Sequence, residues 1–138
     1  MMRVNIHLTF RGQCREALEF YEDLLGGSDA SMLTYADSPM AADVPSDWQN
    51  KIVHGSLSVE GMTLAGADIL PEQYVPPKGF FVLLEVEDPS EAERLFMELS
   101  EGGSVEMPVQ QTFWSIRFGM LIDRFGIPWE INCVQEVE

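Results

Sequence analysis

Two stretches of this 138-residue chain follow one plan. Glu16-Ala17-Leu18-Glu19-Phe20-Tyr21 leads through Leu24 and Leu25 to Gly26-Gly27, and Glu91-Ala92-Glu93-Arg94-Leu95-Phe96 leads through Leu99 to Gly102-Gly103. Each copy follows an extended apolar stretch and precedes further strand-like stretches. An internal repeat constrains architecture before any single element is assigned. Two copies are too few for a solenoid, whose units need about three or more to bury their faces. The expectation is a pseudo-symmetric single domain over 1–138, with a natural place for a site between its halves.

Val4, Ile6, Leu8 and Phe10 alternate with Arg3, Asn5, His7 and Thr9, which is the period of a strand with one apolar face. Arg11-Gly12-Gln13 turns the chain into a helix with Ala17, Leu18, Tyr21, Leu24 and Leu25 on one stripe, ended by Gly26-Gly27. Asp88, Pro89 and Glu91 read as the capping-box start of a second helix, whose stripe is Ala92, Leu95, Phe96 and Leu99. Three extended pieces follow each helix: Ser31–Tyr35, Ile52–Val59 and Met62–Ile69, then Ser104–Pro108, Phe113–Leu121 and Ile127–Val134, with a further apolar strand from Gly79 to Glu87. Ser38–Lys51 reads as a long loop, and 71–78, with Pro71, Pro76 and Pro77, as the linker between a first module (1–70) and a second (79–138). Each module reads strand, helix, strand, strand, strand, which makes the fold α+β with two βαβββ units.

The apolar face of each strand packs on its helix and leaves the other face free. Alternation puts His7 and His54, the chain's two histidines, on free faces, with Ser56 and Ser58 beside His54 and with Arg117 placed to join them. Glu85 and Glu130 also fall on free faces, and Trp129 by phase belongs to the core. Scattered polar residues on a solvated sheet face need no function. Phe81, Phe113, Trp114 and Phe118 are a heavy aromatic load for such a face, however, and a mostly apolar pocket with a few polar anchors accounts for them better.

Composition narrows the partners. With 23 acidic residues against 8 basic ones, the net charge is −15, and phosphate neutralisation needs a basic face, so nucleic acid is not expected as a partner. No apolar run is long enough to span a bilayer, and no signal-peptide block opens the chain. Cys14 and Cys133 are too few for a disulfide framework, so a cytoplasmic setting is expected. Cys14 lies near a helix start, where a thiolate can be favoured, but a small buried hydrophobe is the plainer reading.

The pattern Phe10-x-Gly12-x-Cys14 with Glu16-Ala17-x-x-Phe20-Tyr21 resembles the opening of PhnB-like proteins of the vicinal oxygen chelate superfamily, which includes glyoxalase I, bleomycin-resistance proteins and extradiol dioxygenases. Gln111-Thr112-Phe113-Trp114, then Phe118-Gly119, Asp123, Phe125-Gly126, Pro128-Trp129 and Ile131-Asn132, is similar to their C-terminal signature, and His54 and Gly66-Ala67-Asp68 match its middle. The resemblance implies paired βαβββ modules in a cupped mixed sheet, commonly as a homodimer. Some relatives carry a ubiquinone-pathway methyltransferase label, yet no Gly-rich nucleotide loop follows the first strand here.

Metal-using members of that superfamily hold a divalent ion with four His, Glu or Gln side chains. Glu130 matches the last-strand glutamate, and His7 lies in the right strand on the right face. The second module offers Phe81 where a histidine would fall, and the first ends on Thr63, Ala65 and Ala67, or Asp68 in another phase. His7, His54 and Glu130 are the set that would serve a metal, and a metal-free cavity is the expectation, because a missing ligand usually costs the site.

Two functions follow from the resemblance and the free faces. One is a small-molecule binding protein whose aromatics stack on a planar ligand oriented by Gln111, His54 and Glu130, with Phe113, Trp114, Arg117 and Phe118 around it. The other is a metal-dependent lyase, isomerase or dioxygenase in which Glu130 moves a proton. Titration of purified protein with nickel, zinc, manganese and iron is expected to leave thermal stability unchanged, in the parent and in Glu130→Gln alike. A metal-dependent rise in Tm that Glu130→Gln abolishes would restore the metal reading.

Overall fold

Alternation and capping produce the elements of the computed structural model, which describes residues 1–134. The first run is β1 (Ile6–Phe10), α1 (Cys14–Leu25), β2 (Ser28–Thr34), β3 (Ile52–Val59) and β4 (Met62–Asp68). The second is β5 (Val82–Val86), α2 (Pro89–Ser100), β6 (Ser104–Gln110), β7 (Phe118–Ile122) and β8 (Pro128–Cys133). The chain divides into two units, Met1–Val75 and Pro76 onward, with the boundary inside the proline-rich stretch 71–78. Residues 135–138, the end of the expected second module, lie outside the described residues.

Each unit forms one mixed four-stranded sheet, ordered β1-β4-β3-β2 in the first and β5-β8-β7-β6 in the second. In both, the first strand pairs parallel with the last, and the remaining pairs are antiparallel. This is the α+β, twice-repeated βαβββ order expected from the sequence. The helix sides form the cores, with Leu8, Phe10, Leu18, Tyr21 and Leu57 buried in the first unit and Leu95, Leu99, Leu121, Trp129 and Ile131 in the second. Each such large side chain contributes about 1.5–3 kcal/mol by leaving water.

The duplicated Gly-Gly pairs divide one task in the same way. Gly26 and Gly102 take left-handed backbone, with φ of 68° and 76°. Their neighbours sit where a Cβ has no room: at Gly27 it would strike the Leu57 side chain, and at Gly103 the Ile122 carbonyl. One glycine turns the chain and the next lets it pass close beneath a strand.

The helices start by different means. Asp88 caps α2 locally, its Oδ1 accepting from the Ser90 N–H and hydroxyl, both at 2.9 Å. Glu91 does not complete the capping box, because Arg94 takes its carboxylate in a two-pronged, charge-assisted pair and also reaches Glu98. Helix α1 has no side-chain cap from Gln13. Asp68, at the end of β4 and 1% exposed, supplies one instead. Its Oδ1 accepts the N–H groups of Gly12 and Cys14, both at 2.9 Å, and its Oδ2 accepts that of Ile52 at 2.8 Å. The Tyr35 hydroxyl donates to the Asp68 carbonyl at 2.6 Å.

Several boundaries differ from expectation. Val4 is 76% exposed and precedes β1. The strand expected over Phe113–Leu121 begins at Phe118, because Thr112 and Ser115 close a tight loop before it: the Thr112 N–H donates to the Ser115 carbonyl at 2.8 Å, and the Ser115 N–H to the Thr112 hydroxyl at 3.1 Å. The Ser115 hydroxyl in turn bonds the carbonyls of Arg117 and Cys133. The expected loop 38–51 contains two single 3₁₀ turns, Ala41–Asp43 and Ser46–Trp48, stitched together by Gln49 Nε2 to the carbonyls of Ala41 and Val44. Of the four outer strands, β1 and β5 pair regularly, whereas the pairing of β2 shifts register around Asp29 (φ 55°) and that of β6 shifts twice, around Pro108 among others.

Asp68→Ala leaves three backbone donors without their acceptor and is expected to cost about 3–5 kcal/mol in urea unfolding. Asp68→Asn, which keeps one acceptor oxygen, is expected to fall between it and the parent.

Candidate functional site

Cross-strand register fixes which side chains share a face, because partners directly opposite point the same way. In the first unit, His7 pairs with Ala65, Ala65 with Ser56 and Ser56 with Ser31, while His54 pairs with Leu33. These stand on the side away from α1, whose Leu18 lies against Gly55 on the other. The two imidazoles meet there, near-parallel at 27° with ring centroids 6.2 Å apart, and both are exposed.

The open side of the second sheet has another character. Phe118 pairs with Asn132 and Met120 with Glu130, while Leu83 and Glu85 of β5 flank Glu130 and Asn132. Trp129, Ile131 and Cys133 face the helix as alternation requires, and Trp129 Nε1 donates to Asp123 Oδ2 at 2.8 Å. At one end of the open side, Phe80, Phe81, Met120, Ile122 and Pro128, with Glu106, line a cleft of about 210 Å³. At the other end, Trp114 sits edge-on to Phe118 at 5.2 Å and Phe113 edge-on to Trp114 at 4.6 Å. Phe118 is thereby 7% exposed, whereas Trp114 is 49% and Phe113 90% exposed. Asn132 Oδ1 is buried without a hydrogen-bond partner, beside Glu85, to which its Nδ2 donates at 3.5 Å.

The sequence-selected residues thus divide between the two units. His7 and His54 come together on the first sheet. Phe118 and Glu130 share the open side of the second, with Trp114 packed on Phe118 and Phe113 packed on Trp114. Gln111 is exposed in the loop between β6 and β7. Arg117, in the second unit, is turned by its phase to the helix side, where Nε donates to Glu93 of α2 at 2.9 Å and Nη1 to the Ile116 carbonyl at 2.7 Å. Met120 was not singled out from the sequence, although its alternation with Phe118 was there to be read.

A divalent metal needs three or four converging donors. The open side of the first sheet offers two imidazoles and no carboxylate. Among the described residues, no group of three or more His, Cys, Asp or Glu side chains is placed to hold a metal ion. Within the first unit only His7 and His54 of the set His7, His54 and Glu130 come together, and Glu130 stands on the second sheet.

Cys14 is not a poised nucleophile. Burial, reinforced by the Asp68 carboxylate, pushes its thiol up to about 12, with Arg15 acting weakly in the other direction. Burial first and Asp68 second also raise the Tyr35 hydroxyl. Cys14 and Cys133 are both free and buried.

A family model described as 3-demethylubiquinone-9 3-methyltransferase matches residues 2–132. Protein YjdN of Escherichia coli (strain K12) is 30% identical over 143 residues, covering 98% of this chain and 97% of its own. The crystal structure of protein PA1353 from Pseudomonas aeruginosa is 43% identical with a TM-score of 0.84, over 97% of this chain and all 100% of that one. Two more distant structures share the fold. A Bacillus cereus PhnB protein, a putative 3-demethylubiquinone-9 3-methyltransferase, is 19% identical with a TM-score of 0.78, over 96% of this chain and 99% of its own. A glyoxalase/bleomycin resistance protein/dioxygenase family enzyme from Burkholderia phytofirmans PsJN is 11% identical with a TM-score of 0.64, over 95% and 97%.

In thiol titration at pH 8, neither cysteine of the native protein is expected to react, and both are expected to react once denatured. Because the folded thiol of Cys14 lies above its unfolded value of 9.0, its burial contributes stability that is complete below about pH 9 and is lost as pH rises toward 12. Cys14→Ala is expected to remove that part of the alkaline loss, as read by urea midpoints at pH 8 and pH 10.

Proposed function

This chain belongs to the PhnB-like family of the vicinal oxygen chelate superfamily, and on that premise we propose that it binds a small molecule with a planar aromatic part on the open side of its second sheet. The observation that carries this reading is the aromatic ladder Phe113, Trp114 and Phe118, with ring centroids 4.6 and 5.2 Å apart and with Phe113 and Trp114 exposed. Rings arranged edge-to-face leave π-faces for a further ring to stack on. Glu130, between Leu83 and Met120, is the polar anchor, and Gln111 lies on the same loop as the ladder. A few polar groups in an apolar surround are what orient a small ligand. His54, in the other unit, is assigned to ligand contact through its own sheet face. Arg117 is assigned to holding the loop against α2 through Glu93.

The alternative is a metal-dependent lyase, isomerase or dioxygenase with Glu130 as base, which would need three or four donors converging on one ion. The methyltransferase description attached to the family finds no support in two mixed four-stranded sheets, since neither is the doubly wound parallel sheet that cradles a nucleotide. We further infer a homodimer, as the family resemblance implies. The two free buried cysteines suit a reducing cytoplasm. No described helix is long and apolar enough to cross a membrane.

Tryptophan fluorescence tests the site selectively, because Trp48 and Trp129 are buried and only Trp114 is substantially exposed. Planar aromatic compounds are expected to quench saturably, and Trp114→Ala is expected to weaken binding roughly tenfold, read by calorimetry. A panel in which no compound quenches or stabilises, or in which Trp114→Ala binds as the parent does, would sink the proposal.

A further inference from the structure

The open side of the first sheet is unlike the rest of this acidic chain. Register places three rows of side chains on it: Asn5, Thr63 and Ser58; His7, Ala65, Ser56 and Ser31; and Thr9, Ala67, His54 and Leu33. The chain has 23 acidic residues, and none stands in these rows. Of the acids nearest in sequence, Asp29 lies in the bulge of β2, Glu60 in the β3–β4 turn, and Asp68 is turned inward to cap α1. Every polar side chain in the rows can donate an N–H or O–H. Among the described residues, neither imidazole and neither hydroxyl of Ser56 and Ser58 is hydrogen-bonded to protein. Next to the first row opens a cleft of about 500 Å³, lined by Arg3, Asn5, Ser58, Met62 and Thr63 among others.

A face of unpaired donors with a guanidinium at its margin, and without a carboxylate, is complementary to negative oxygen. A cation would find only neutral lone pairs there, which is poor company for a hard ion. An oxyanion finds charge-assisted donors, which give the stronger class of hydrogen bond.

We propose that this face binds the carboxylate or phosphoryl group of a small soluble molecule, held by His7, His54 and the hydroxyl of Ser56, with Ser58 and Arg3 further along the sheet, Arg3 adding permanent positive charge at its margin. The site lies wholly in the first unit and does not rest on the aromatic ladder of the second.

The test is NMR of the imidazole resonances of the full chain during titration with inorganic phosphate and with acetate, against chloride at equal ionic strength. Both histidines are expected to shift saturably with at least one of the two oxyanions and not with chloride. His7→Gln and His54→Gln are each expected to weaken binding roughly tenfold, the loss of one charge-assisted hydrogen bond. Ser56→Asp, which sets a carboxylate in the middle row, is expected to abolish binding while the fluorescence response of Trp114 to aromatic compounds stays as in the parent. Phosphatidylglycerol vesicles present the same phosphate on a surface, and a chain of net charge −15 is expected not to bind them. The proposal is overturned if the imidazoles ignore phosphate and acetate, if chloride shifts them equally, if Ser56→Asp binds like the parent, or if only vesicles bind. Oxyanion binding without any aromatic binding would leave this proposal standing and remove the preceding one.

Discussion

A single buried carboxylate organises the first unit. Asp68 ends β4, yet its two oxygens hold the turn before α1, the first residue of α1 and the first residue of β3. An α-helix begins with N–H groups that have no partner inside it, and a negative charge there is favoured by the helix dipole. Because Gln13 makes no cap, α1 depends on a residue 54 positions away, so the helix and the inner strands cannot be assembled independently. The same charge beside Cys14 works with burial to keep that thiol protonated, which turns a position that looks reactive into a packing residue. The second unit repeats the topology without this dependence. Asp88 caps α2 locally, and Asp123 directs its oxygens to the Phe125 and Ile127 N–H groups and to the indole of Trp129, closing the β7–β8 hairpin.

What could be read from the sequence was whatever repeats at short range. Alternation placed Leu8 and Phe10 inside and His7 outside, helical spacing gave both stripes, and the two Gly-Gly endings marked both helix ends. Side chains that answer to distant partners were harder. Asp68 could be matched to a family motif but not to its task, since no local pattern announces a cap supplied from 54 to 56 residues away. Glu91 had the spacing of a capping box, but Arg94 one turn on competed for it and won. Phe113 and Trp114 looked like strand residues because aromatic content and strand propensity coincide. The hydroxyls of Thr112 and Ser115, which close the loop, are ordinary polar residues in a one-dimensional reading. Arg117 went with them: once the strand starts at Phe118, its phase and its ion pair with Glu93 put it on the helix side.

The two units share a backbone plan and differ in what they offer to a ligand. The open side of the first sheet is built from hydroxyls, imidazoles and small side chains. The open side of the second carries Leu83, Met120 and Phe118 around Glu85, Glu130 and Asn132. Duplication of a fold constrains the residues that hold sheet to helix, because those contacts recur in both copies. It leaves the half of each strand that faces away from the helix free to take different chemistry.

The irregular outer strands bear on how such a molecule lives at high concentration. A sheet edge with a regular row of unpaired N–H and C=O groups is a template on which another chain can add a strand. β2 breaks its row with a bulge at Asp29, and β6 breaks its own with two register shifts and with Pro108, which has no N–H to offer. These two of the four edges therefore present broken hydrogen-bonding rows to a stray strand, while β1 and β5 are short edges of five residues each. Runaway polymerisation through these edges is disfavoured by geometry, in addition to the mutual repulsion of chains that each carry a charge of −15.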